Sequence, residues 1–119
     1  MWTYTLYILH AFVSAKKPQR NSDGSLTISI TEFYDFVFDE LWRKFQVTFY
    51  DDEEDLYEDI KLLSEMNFIK IADTGRHIII SKDQWDTIEN VANSFRTHPL
   101  RQNIPLVDEY FKRIEAIIG

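Results

Sequence analysis

The stretch Asp51-Asp52-Glu53-Glu54-Asp55 sets five carboxylates in a row. A hard-cation site is the first chemistry it suggests. Asp51, Glu53 and Asp55 alternate as calcium-loop ligands do, but the mid-loop glycine and the distal bidentate Glu of an EF-hand are missing. Diffuse cation association, without a dedicated site, is the expectation. His10, His77 and His98 are far apart and share no metal spacing such as H-x-x-x-H. His10 is expected to pack within a helix, and His77 and His98 to be exposed. Serine, histidine and aspartate all occur, but no G-x-S-x-G elbow does. The three glycines, Gly24, Gly75 and Gly119, are too few and too dispersed for a phosphate-cradling loop. There is no cysteine. That excludes disulfides, thiolate metal sites and Cys nucleophiles, and it points to a reducing, cytoplasmic setting. A noncatalytic chain without metal or cofactor is the expectation.

Charge is the remaining chemistry. Segment 51–65 holds eight acids against one base, Lys61, which equals the net charge of −7 for the whole chain. The other residues carry twelve acids and twelve bases. The imbalance is therefore local, and other faces are free to be basic. Two basic groups stand out: Lys16, Lys17 and Arg20 near the first loop, and Arg76 with His77 farther on.

These groups need elements to position them. A chain of 119 residues, 45% hydrophobic and 15% aromatic, can bury a substantial core. No run approaches the roughly 18 apolar residues of a membrane span, so no membrane association is expected. The opening MWTYTLYILHAFVSAKK has an apolar stretch, and Val13-Ser14-Ala15 resembles a cleavage site. No Lys or Arg precedes the stretch, however, and His10 interrupts it. It reads as a first helix burying Trp2, Leu6, Leu9 and Val13. KKPQRNSDGS (16–25) is a loop, and SLTIS (25–29) alternates like a short strand.

Ser29 and Glu32 have capping-box spacing before a helix over about 30–45. That helix carries Phe33, Tyr34, Phe36, Val37, Phe38, Leu41, Trp42 and Phe45, more than one stripe accommodates. It is either covered on two sides or partly an interface. Asp51 and Glu54 repeat the box spacing before a helix over about 52–66, and Asn67 suits its stop. FIKIA and RHIIIS flank DTG, which predicts a hairpin over 68–81 turning at Asp73–Gly75. Ser81 and Gln84 form a third box, opening a helix over about 82–95. A last helix, about 105–118, follows the break RTHPLRQNIP.

This order resembles a winged helix-turn-helix domain through residue 81. The stretch that carries the likeness is DLYEDIKLLSEMNFIKI, joined to the hairpin FIKIADTGRHIII. The resemblance implies an α+β fold: a three-helix core with a short strand and a two-stranded wing over 1–81. Helices over 82–119 follow as a C-terminal extension. It also implies that helix 52–66 is the recognition helix, that the hairpin is the wing, and that the protein is a DNA-binding regulator of transcription. The two basic groups, Lys16, Lys17, Arg20, Arg76 and His77, are then the candidate contacts to duplex DNA.

The recognition helix departs from that pattern. Leu56, Ile60 and Leu63 set its inward direction, so Glu54, Glu58, Lys61 and Glu65 face outward. Duplex affinity comes mainly from Lys and Arg neutralising phosphates, and three carboxylates with one amine do the reverse. The alternative reading is a protein-interaction module that keeps the fold and does not bind DNA. First-turn acids also complement the helix dipole, so this face serves equally as a solvated one. The last helix gathers Val107, Tyr110, Phe111, Ile114, Ile117 and Ile118 on one face. It either folds back on its own domain or pairs with a second copy, and the homodimer is the expectation, since a symmetric pair of helices covers such a face.

Overall fold

The structure, a computed structural model, describes residues 2–95, 97 and 99–118, apart from the side chains of residues 100 and 102. His98, expected to be exposed, lies outside the described residues. The fold is α+β. Helix α1 (Trp2–Lys16) leads to strand β1 (Leu26–Ser29) and helix α2 (Ile30–Asp35), which runs on through Phe36–Lys44 as a π-wound segment. Helix α3 (Glu53–Glu65), strands β2 (Lys70–Ala72) and β3 (His77–Ile80), and helices α4 (Lys82–Ser94), α5 (Pro99–Asn103) and α6 (Pro105–Ile118) follow. Among the described residues, no helix is long and apolar enough to cross a membrane.

The three strands form one antiparallel sheet in the order β1-β3-β2. β2 and β3 pair as the expected hairpin, and β1 adds to the free edge of β3 with Leu26 opposite Ile80 and Ser29 opposite His77. Leu26, Ile28, Ile78 and Ile80 point into the core, while Thr27 and Lys70 point out. This layout is compatible with a winged arrangement.

α1 is the axis of the molecule. The expected stripe Leu6, Leu9, Val13 is buried, and so are Thr5, Tyr7, Ile8, Ala11 and Phe12 on its other sides. α3, α4 and α6 all pack against it, which is why a one-sided stripe understates its burial. Trp2 is only half-buried and stacks on Phe68, ring centroids 5.7 Å apart. α4 and α6 supply Trp85, Ile88, Ala92, Phe95, Phe111 and Ile114 to the same core as residues 6–80.

The crowded second helix resolves through its winding. Phe45 N–H donates to Glu40 O, five residues back, at 3.2 Å. Bonding of i to i+5 brings residues five apart onto one face, so Phe36 and Leu41 both point inward with Phe33 and Val37. Tyr34 and Phe38 are half-buried, and Trp42 and Phe45 are left 36% and 39% exposed. Gln46, at φ 57°, ends the segment.

The helix caps are local and mostly as expected. Ser29 accepts from Glu32 N–H, and Ser81 and Gln84 form a complete capping box. α3 starts one residue later than its spacing suggested: Asp52 accepts from Asp55 N–H at 2.8 Å, and the Asp55 carboxylate accepts from Asp51 N–H at 3.1 Å. Asp51/Glu54 and Asp52/Asp55 are equivalent in spacing. Burial of Tyr50 and Leu56 on either side of the start selects the second pair. At the other end, Asn67 is left-handed (φ 62°), its N–H bonds Ser64 O, and Phe68 N–H bonds Leu63 O. That is a full Schellman stop.

Candidate functional site

α3 packs against α1 and strand β2, with Leu56, Ile60 and Leu63 buried at 1% exposure or less. Glu54, Glu58, Lys61 and Glu65 are all exposed on its other side, and Glu53 is exposed in the first turn, nearer the inward face. Lys61 Nζ sits 5.5 Å from the centre of the Tyr57 ring on the same helix. The helix thus presents four exposed carboxylates and a single amine.

The basic candidates do not converge. Lys16 is bound by Glu40, Nζ to Oε1 2.5 Å, and lies 5.9 Å from the Phe36 ring. Arg20 donates from Nη1 to Gly24 O at 2.9 Å and lies over Trp85. Both therefore fold back on their own surroundings. Lys17 is exposed and left-handed at φ 50°. Their loop enters β1 at Leu26, opposite Ile80, whereas the hairpin tip lies beyond Ser29 and His77. Three strand steps, roughly 10 Å, separate the two groups along β1.

At the hairpin tip, Asp73, Thr74 and Gly75 all have positive φ, 53°, 53° and 86°. Two of them are not glycine, and one is β-branched, so the turn is strained. The turn expected at Asp73–Gly75 is thus left-handed at all three positions. His77 is half-buried rather than exposed, with Nδ1 2.8 Å from Asp73 Oδ2 but without hydrogen-bond alignment. Arg76 is exposed, and among the described residues no ion pair or hydrogen bond holds its side chain. Lys70, on the same ribbon, is exposed as well, and the sequence reading did not single it out.

The face of α6 is taken up within the chain. Phe111 and Ile114 are 0% exposed. Phe111 packs between Tyr4, Tyr7, Phe49 and Phe95, with centroids 4.6 to 6.1 Å away. Tyr110 bonds Thr48 hydroxyl to hydroxyl at 2.9 Å and meets the Phe49 ring edge-on. Val107 and Ile117 are half-buried against the same core. Of the proposed dimer residues, Ile118 alone is exposed, at 37%; Ile104 and Leu106, at 41% and 59%, lie at the other end of α6. The premise that this face lacks a partner within its own domain therefore gives way: α1 and the 45–50 segment cover it.

Three features carry no local sequence signal. Thr5 is fully buried, lies 2.6 Å from the Tyr50 hydroxyl and donates to Asp59 Oδ2 at 3.0 Å. Thr5 has one proton and a carboxylate can only accept, so Tyr50 donates to Thr5. Burial pushes the Tyr50 hydroxyl pKa well up, in keeping with a permanent donor. Arg113 of α6 donates to the carbonyls of Phe45 and Gln46 at 3.3 and 3.2 Å, where the π-wound segment leaves acceptors free.

The third feature is a groove of about 650 Å³ between that segment and the start of α3, lined by Phe38, Asp39, Trp42, Arg43, Gln46, Asp52 and Glu53. Its only foreshadowing is the excess of aromatics in residues 33–45.

A second cleft, about 450 Å³, lies where α1, α4 and α6 meet, with His10 and Arg101 in its lining. His10 is stacked on Trp85 at 5.2 Å, and burial lowers its pKa. Arg101 is paired with Asp108 and Glu115, which raise its pKa, so the cleft offers no unpaired guanidinium to an anion. Among the described residues, no three His, Asp or Glu side chains converge as metal ligands would. The chain matches no family model, no curated protein and no solved structure.

Proposed function

We propose that the chain is a winged-helix domain acting as a noncatalytic protein-interaction module. The order helix, strand, helix, helix, hairpin, with β3 central in the sheet, supports the winged assignment. One observation carries the function: the outward side of α3 bears Glu54, Glu58 and Glu65 against Lys61 alone. In a major groove these carboxylates would stand within a Debye length, about 8 Å, of the phosphates and oppose binding. A partner with basic side chains meets the same surface favourably.

A DNA-binding regulator is the second reading, and Arg76 favours it. That guanidinium stands exposed and unpaired at a strained wing tip, with Lys70 on the same ribbon. Such a regulator would touch the backbone through the wing and keep α3 out of the groove.

Duplex titrations over a range of salt concentrations separate the two. The interaction reading expects no saturable duplex binding even at low salt. The regulator reading expects binding that Arg76→Ala weakens, with the salt slope lowered by about one. It also expects Glu54→Gln with Glu58→Gln to leave binding equal or stronger.

A further inference from the structure

The groove between Phe36–Lys44 and the start of α3 joins two features that are ordinary apart and specific together. Its floor is aromatic. Phe38 and Trp42 line it with rings 5.4 Å apart, and Tyr34, outside the lining, lies 6.3 Å from Phe38. Its rim is acidic, with Asp39, Asp52 and Glu53 against Arg43. Arg43 faces Asp39 at 3.6 Å, but both side chains are more than half exposed, so water screens the pair and it yields readily to a competitor.

The chemistry selects the occupant. A cation over an indole face gains cation–π attraction, the strongest of any side-chain ring. Carboxylates beside it accept charge-assisted hydrogen bonds from the same head group. The alkyl stem of Lys or Arg would cover Phe38. A phosphate is repelled by this rim, and a purely apolar segment would desolvate Asp39 and Glu53 without a partner. The backbone here is π-wound, a form that recurs at functional sites, with Leu41 buried and Trp42 exposed beside it.

We propose that this groove binds a basic, amphipathic segment of a partner protein. One Lys or Arg lies over Trp42 with Asp39 and Glu53 accepting its N–H groups, and an apolar neighbour rests on Phe38. The proposal rests on the interaction reading above and names the partner's chemistry.

The probe is a short blocked peptide of Lys and Leu at helical spacing, labelled with fluorescein and followed by anisotropy against the full chain. Saturable binding is expected, weakened by salt and absent for the Glu/Leu counterpart. Trp42→Ala should weaken it roughly tenfold, and Trp42→Phe less. Asp39→Asn with Glu53→Gln should weaken it severalfold and flatten its salt dependence. Glu54→Gln with Glu58→Gln removes equal charge from the outer side of α3 and should change affinity less than twofold.

Circular dichroism confirms that each variant is folded. Absence of binding overturns the groove. So does unchanged affinity in folded Trp42→Ala, or a loss in the outer pair as large as in the groove pair. The last two outcomes leave the interaction reading standing. Duplex DNA that saturates the protein and displaces the peptide overturns that reading itself.

Discussion

Thr5 and Tyr50, 45 residues apart, meet hydroxyl to hydroxyl at 2.6 Å inside the core, and Thr5 in turn donates a hydrogen bond to Asp59. The relay ties α1 to the connection before α3 and to α3 itself. Thr5→Val keeps the shape and strands the Tyr50 hydroxyl. A loss of about 1–3 kcal/mol is expected, the cost of an unsatisfied buried polar group. Thr5→Ser should recover most of it. Urea denaturation of the three proteins measures both.

The last helix is a structural clamp. Phe111 is fully buried among four aromatic rings. Phe111→Ala should cost about 3–5 kcal/mol, and truncation after Arg101 should abolish cooperative unfolding. Leu106→Ser, at a position 59% exposed, should change stability by no more than about 0.5 kcal/mol. Equal losses from Phe111→Ala and Leu106→Ser would contradict this packing.

The tip of the β2–β3 hairpin has a removable strain. Thr74 holds φ 53°, and Thr74→Gly should stabilise the chain by about 1 kcal/mol, the penalty of the left-handed region for an ordinary residue. Gly75→Ala should do the opposite. Its φ is +86°, and a Cβ there would meet the Tyr57 hydroxyl at 3.2 Å. Thermal melts of the two variants should move in opposite directions.

His10 gives the fold a pH dependence of known sign. Burial against Trp85 lowers its pKa, while the Glu89 charge works the other way. The unfolded chain therefore takes up a proton first as pH falls. Stability is undiminished above the unfolded value, about 6.5, and declines below it until the folded value is passed. His10→Phe keeps an aromatic ring against Trp85 and should remove that part of the slope. Denaturation midpoints between neutral and mildly acidic pH test it.

What the sequence by itself determined is local. The Ser81–Gln84 box, the Asn67 stop, the hairpin about Asp73–Gly75 and the inward row Leu56, Ile60, Leu63 each depend on residues a few positions apart. Their spacing already encodes the hydrogen bond, turn or face. The outward carboxylates of α3 follow from the same periodicity.

The tertiary structure alone decided what distant partners do. Asp52 rather than Asp51 caps α3 because buried neighbours choose between two equal spacings. α6 turns its face inward because Tyr4, Tyr7, Phe49 and Phe95 are there to meet it. Arg113 reaches carbonyls 67 and 68 residues away. The length of β1 holds the first-loop bases apart from Arg76, so two groups that look like one surface in sequence stand at opposite ends of a strand. The groove at Trp42 exists because the π-wound segment and the start of α3 come together there, Phe36 and Leu41 being buried beneath. Competition of that kind is settled by packing, which spacing along a chain does not record.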